Sequence, residues 1–200
     1  MFPQGKKWTW TDCLGSTELL LMSMDLSSTN LSSQRLFLKC FSPEDAKEVF
    51  EAVTPRVTRF MGFEPAPSLE VFEQIWQTWF PMMRLGTDGH FVIRTKSNLE
   101  FLGIAGLHDI NDAEPKIGIW IKETAHRSGY GRETVAELIS FAARELGKRS
   151  VLYPVVEQNH PSRHLAESLG GILVGSRILR KAGGIEHPEV IYRIPAPVMN

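Results

Sequence analysis

The chain has little cysteine, no long apolar run and no excess of either charge, and each lack removes a class of function. Two cysteines in 200 residues, Cys13 and Cys40, cannot staple a small secreted scaffold, and neither stands in a Cys-x-x-Cys spacing. No run reaches the roughly 18–20 apolar residues that a membrane-spanning helix needs. The stretch Leu19–Met22, downstream of Lys6 and Lys7, is too short for a signal peptide; Asp12 and Glu18 interrupt the approach to it and Asp25 follows. Lysine plus arginine number 22 against 23 aspartate plus glutamate, a net charge of −1. A general nucleic-acid binder needs a basic excess to displace counterions from phosphate. The expectation is therefore no nucleic-acid and no membrane partner, and a cytoplasmic setting in which thiols stay reduced.

What is present suits one domain, since domains cluster at roughly 100–200 residues, and neither a repeat nor an interdomain linker divides the chain. Residues 1–30 lack periodicity and end in the loop-like cluster Ser27-Ser28-Thr29-Asn30. They read as a loosely ordered N-terminal extension in preference to an arm packing on a partner through Trp8 and Trp10, because termini stay disordered unless tied down. The expected division is an extension over 1–30, one folded domain after it and a tail over 196–200.

Arg35–Cys40 alternates as a strand. Ser42 then caps a helix that has Pro43 at its first position and acids in its first turn. A second capped helix starts at Ser68 and carries a stripe of Val71, Phe72, Ile75, Trp76 and Trp79 until Pro81 disrupts it. Strands follow at Phe91–Arg94, Phe101–His108 and Lys116–Ile121, joined by short polar turns. Val135, Leu138, Ile139, Ala142 and Leu146 mark one side of a helix over Gly131–Leu146. A buried strand over Val151–Val156, a helix over Pro161–Leu169 and strands over Ile172–Leu179 and Val190–Ile194 complete an order β-α-α-β-β-β-α-β-α-β-β. The fold class is α/β on a mostly antiparallel sheet.

Chemistry concentrates where a strand ends near Lys122, a loop carries Arg127, Gly129 and Gly131, and a helix begins at once. Glycines let a backbone approach a ligand, and the free N–H groups of a helix start attract anions. Arg127 and Arg132 bracket the loop and can add charge-assisted bonds to phosphate. A dinucleotide fingerprint would need glycine where Thr134 stands, and no Walker loop is present. Taken alone, Gly-x-Gly serves equally well as a plain turn from strand to helix.

Arg127-Ser-Gly-Tyr-Gly-Arg132 resembles the acetyl-CoA pyrophosphate loop, Arg/Gln-x-x-Gly-x-Gly/Ala, of the GNAT acyltransferases, and most nearly of their RimJ/RimL-type N-terminal acetyltransferases. Leu102–Ile110 is similar to the strand before that motif. Asn159-His-Pro-Ser162, followed by Leu165, Ser168, Leu169 and Gly170, is similar to the family's Asn-x-x-Ser segment, and Gln34–Lys39 to its first strand. The resemblance spans about residues 31–195. It implies the GNAT fold, a mixed sheet flanked by helices and splayed where the cofactor's pantetheine arm inserts. It further implies that Arg127, Ser128, Gly129, Tyr130, Gly131 and Arg132 hold the pyrophosphate of acetyl-CoA, that Ile119 and Ile121 offer backbone to the pantetheine arm, and that Asn159 binds that arm. Ser162 would lie near the sulfur as general acid.

The acceptor implied is the α-amine of a protein or peptide N-terminus, with a small-molecule amine as alternative and an acyl-CoA-binding module without turnover as a reading of another class. An amine must be neutral to attack, and an α-amine, roughly 10% neutral at pH 7, needs little help from a base to reach that form. Lys116 stands where relatives often carry a glutamate, leaving Glu114 as the base candidate from this segment and Glu157 and Glu189 as others acting through water. His160 and His164 sit four apart without an evident third ligand, so no metal is expected. His108 and His126 read equally as substrate contacts or polar surface. Monomer and homodimer both fit.

Overall fold

Alternation builds the first hairpin of the computed structural model, which describes residues 24–181 and 184–197. In β2 (Leu36–Cys40), Leu36, Leu38 and Cys40 point inward while Phe37 and Lys39 point out, and β1 (Asn30–Ser32) pairs with it antiparallel. Ordered packing therefore starts upstream of residue 31: Leu26 is fully buried and donates its N–H to the Met83 carbonyl at 2.9 Å. At the other end, Ala196 donates to the Arg149 carbonyl at 2.9 Å, so the first tail residue belongs to the body. Trp8 and Trp10 lie outside the described residues.

Ser42 donates its N–H and hydroxyl to the Asp45 carboxylate, opening a 3-10 turn that leads into α1 (Ala46–Ala52). A short α2 (Pro55–Thr58), absent from the sequence reading, follows. The Ser68 hydroxyl caps α3 (Leu69–Gln77) by accepting from Val71 N–H. The chain breaks before Pro81, as expected, but restarts at once as α4 (Trp79–Arg84). Pro81 sits in the first turn of α4, where a missing N–H costs nothing.

Next come β3 (Gly89–Thr95), β4 (Phe101–His108), β5 (Lys116–Ile121), α5 (Tyr130–Leu146), β6 (Ser150–Val156), α6 (His160–Ser168), β7 (Ile172–Arg180) and β8 (Glu186–Pro195). The strands form one sheet in the order β1-β2-β3-β4-β5-β6-β8-β7. Its two faces carry separate cores. Val92, Ile104 and Trp120 meet Phe41, Phe72 and Trp76, whereas Phe91, Ile93 and Ile117 meet the α5 stripe of Val135, Leu138 and Ala142. All neighbours are antiparallel except β5 and β6, which share a single parallel pair, Lys116 with Leu152.

That sparse pairing opens the sheet, and β6 explains it. Leu152 gives its N–H to the Pro115 carbonyl at 2.9 Å, so alternate residues of β6 aim their donors at β5. The next such residue is Pro154, which has no N–H, and the ladder stops there. Opposite, Lys122 N–H bonds to the Leu102 carbonyl of β4, while Pro115 faces β6. Ile117, Ile119 and Ile121 share the parity of Pro115 and turn their backbone polar groups into the splay.

Candidate active site

The loop entering α5 presents free backbone donors at a helix start, an arrangement that attracts anions. Arg127 has φ of +61° and Gly129 φ of +79°. The first is costly for a residue with a side chain, the kind of strain that proteins retain at working sites. Among the described residues, the backbone N–H groups of Arg127 through Arg132 donate to no protein acceptor, leaving a row of donors at the positive end of a 17-residue helix. Arg35 holds this loop from outside: it donates to the Ser128 carbonyl at 3.1 Å, pairs with Glu133 at 2.7 Å and lies 4.7 Å from the centre of the Tyr130 ring. Burial pushes the Glu133 carboxyl up, but hydrogen bonds from Ser33 and Arg35 outweigh it and hold the group below its ordinary range. The sequence reading placed Arg35 in the first strand and missed this task.

Arg132 points elsewhere. It donates to the hydroxyl and carbonyl of Ser168 at 3.2 and 3.3 Å, tying α5 to the last turn of α6. His126 donates from Nε2 to the Ile121 carbonyl at 2.8 Å, so it clamps the end of β5 and already engages one of the two backbone positions expected to face the pantetheine. Ile119 remains in the splay.

A cavity of about 380 Å³ occupies the splay, walled by Gly118 and Ile119 on one side and by Tyr153, Val155, Asn159 and Ser162 on the other. Asn159 caps α6, its side-chain oxygen accepting from Ser162 N–H. The Ser162 hydroxyl lies 2.9 Å from the buried Tyr153 hydroxyl and is engaged with that side chain, not with backbone. Burial pushes the Tyr153 phenol up, the Ser162 bond offsetting only part of the effect, so it stays protonated and can donate. Tyr153 was read only as a strand residue. Its one sequence signal was a hydroxyl on a buried strand, which requires a partner.

A second cavity, about 320 Å³, lies on the aromatic face among Phe50, Met61, Phe72, Trp79 and Trp120. His108, Gly118, Ile119 and Met61 line both cavities. Every carboxylate on the two linings has a cation already: Glu64 pairs with Lys181, Asp109 with Lys116 and Glu189 with Arg177.

Glu114, expected as a base, lines neither cavity. Arg193 grips it at 2.5 and 2.8 Å, Ser150 donates at 2.6 Å, and these bonds, Arg193 first, hold its carboxyl below the ordinary range. A carboxylate so engaged is a poor proton acceptor. Glu157 also lies outside both cavities. His160 and His164 are exposed, and α6 begins at His160 itself, one residue earlier than expected. Among the described residues, a different trio, Asp88, His90 and His108, brings donor atoms within 4.8 Å of one another.

A strand, a strained donor-rich loop, a helix and a neighbouring strand that peels away have analogues. A family model described as an acetyltransferase (GNAT) domain matches residues 35–172. The chain belongs to the GNAT acetyltransferase family. Its activity is acetyl transfer to an amine. The GNAT domain is 24% identical over 143 residues, 70% of this chain and 81% of the relative, to YoaA, an uncharacterized N-acetyltransferase of Bacillus subtilis (strain 168). Among solved structures, RimL, a ribosomal α-N-protein acetyltransferase in complex with coenzyme A, matches with a TM-score of 0.72 at 16% identity, covering 84% of this chain and 98% of that one. A spermidine N-acetyltransferase of Vibrio cholerae in complex with CoA and spermine matches with a TM-score of 0.69 at 17% identity, covering 80% and 95%. At these identities the likeness is one of fold, and the GNAT domain's acceptor must be argued from its own cavities. No helix among the described residues is long and apolar enough to cross a membrane.

Proposed function

We propose that this GNAT enzyme acetylates the α-amine of a protein or peptide N-terminus, with acetyl-CoA as donor. The donor's fit rests on the unpaired N–H row of Arg127, Ser128, Gly129, Tyr130, Gly131 and Arg132, which leads to a cavity between β5 and β6. The loop donors would hold the pyrophosphate, and Ile119 and Asn159 would hold the arm. Bound there, acetyl-CoA supplies an acetyl thioester, activated for direct attack by an amine. Ser162, held by Tyr153, would protonate the departing sulfur.

The observation that selects among acceptors is the pairing of every carboxylate on the two linings. A polyamine carries further cations that need free anions, and among the described residues this lining offers none. An α-amine with an apolar first side chain brings one amine and a body suited to Phe50, Phe72 and Trp120. A small amine with an apolar body satisfies the same chemistry and is the second reading.

Incubation of the protein with acetyl-CoA and peptides beginning in Ser, Ala, Met or Phe, beside spermidine and apolar small amines, tests both. Peptide acetylation with spermidine untouched is expected. Thiol release with spermidine alone overturns the acceptor assignment, and tight acetyl-CoA binding with no turnover on any amine makes the chain a binding module.

A further inference from the structure

The wall shared by the two cavities carries a histidine whose setting is that of a proton acceptor. His108 ends β4, and its Nδ1 lies 2.9 Å from Asp88 Oδ1, with side-chain exposures of 38% and 13%. The His108 hydrogen bond, against the opposing effect of burial, holds the Asp88 carboxyl below its ordinary range. An anionic Asp88 can only accept, so His108 donates its Nδ1–H to it and Nε2 keeps its lone pair. The sequence makes room for that nitrogen. Gly106 and Gly118 are register partners on β4 and β5; a β-carbon at Gly106 would collide with Nε2, and one at Gly118 would stand 3.5 Å from it.

His90 completes the surroundings. It is buried, stacks on Trp79 at 4.3 Å and meets His108 edge-on at 5.4 Å. Burial first, then the neighbouring His108, pulls its pKa down to about 4, so it adds no second positive charge. The other charged groups on the two cavities that His108 lines are the Asp109–Lys116 pair, the Arg177–Glu189 pair and Glu64, which pairs with Lys181. Each is internally neutralised. His108 thus presents an imidazole at the junction of the apolar cavity with the splay.

We propose that His108, oriented by Asp88, is the general base that takes the proton from the acceptor amine. This rests on the acetyl-transfer reading above. The amine lone pair forms the new C–N bond at the acetyl carbonyl carbon, and His108 Nε2 receives one N–H proton. The C–S bond breaks with its electron pair on sulfur, and the Ser162 hydroxyl protonates the thiolate. Solvent returns the proton from His108 to Ser162, so each turnover is balanced without a further reactant. Asp88 is a positioning residue and His90 a neutral wall.

The test compares wild type with His108→Gln and Asp88→Asn, using an N-terminal peptide and a weakly basic aromatic amine, which is neutral at pH 7 and whose adduct sheds its proton to water unaided. Coenzyme A affinity, measured by calorimetry, is expected to be unchanged in both variants and reports that the fold is intact. His108→Gln should lower kcat/KM for the peptide by about 100-fold or more, while the aromatic amine loses only a few-fold. Asp88→Asn should lower kcat more than it raises KM, and Asp88→Glu, which keeps the anionic partner, should recover part of kcat. Equal losses with both amines at retained coenzyme A binding, or no loss with either, overturn the base while leaving the acetyl-transfer reading standing. Wild type inert toward every amine overturns that reading and the base with it. Stoichiometric metal in the purified protein, lost in His108→Gln and required for turnover, assigns the Asp88, His90 and His108 trio to metal ligation and overturns the proposal.

Discussion

The Tyr153 hydroxyl stands 2.9 Å from the Ser162 hydroxyl, joining the floor of the opened sheet to the first turn of α6. A protonated phenol in that position can both orient Ser162 and refill it. Ser162→Ala should lower kcat by about 100-fold with coenzyme A affinity unchanged, and Tyr153→Phe by about tenfold. Steady-state kinetics beside calorimetry checks this; an unaffected kcat in Ser162→Ala removes the acid role.

Gly129 opens α5 at φ of +79°, and a β-carbon there would come 3.4 Å from the Arg35 guanidinium. Gly129→Ala should cost about 1–2 kcal/mol through the left-handed backbone and weaken coenzyme A. Gly129→Asp should abolish binding, since its carboxylate would face the phosphates. Calorimetry with coenzyme A decides, and retained affinity in Gly129→Asp would detach the loop from the cofactor.

His90 contributes a pH dependence of known sign. Its pKa is about 4 in the fold against 6.5 for the free side chain, so the unfolded chain binds the extra proton first as pH falls. Stability is complete above about pH 6.5 and drops by about 3 kcal/mol as pH falls to about 4. His90→Phe keeps the stack on Trp79 and removes this part of the slope. Urea unfolding at pH 7 and pH 4.5, wild type against variant, measures the difference.

Glu114→Gln should leave kcat/KM within twofold, because the carboxylate is spent on Arg193 and Ser150 away from both cavities. Removing an exposed pair of this kind costs at most about 1 kcal/mol. A kinetic loss at retained coenzyme A affinity would restore Glu114 as a base.

Much of the architecture was legible because it is written in local spacing. The five apolar residues of α5, the alternation of β2 and the glycines before Tyr130 each report on neighbours a few positions away, and all three appear where expected. The additions have physical causes that spacing does not carry. Pro81 was a sound break, but a break before a proline is also a permitted helix start, which is what α4 makes of it. Leu26 and β1 are ordered by partners downstream, Leu26 by Met83 on α4 and β1 by β2.

The sequence by itself determined the strand–loop–helix turn before α5 and the placement of Asn159 and Ser162 at the start of α6, since turn chemistry, capping and periodicity are short-range. It also held the reason for the splay, in the missing N–H of Pro154. Only the tertiary structure decided which side chains meet there. It turned Arg132 to Ser168, gave Glu114 to Arg193, set Tyr153 against Ser162 and brought Asp88 to His108. These pairings join separate elements, and no pattern along one element encodes the register and packing that bring two elements together.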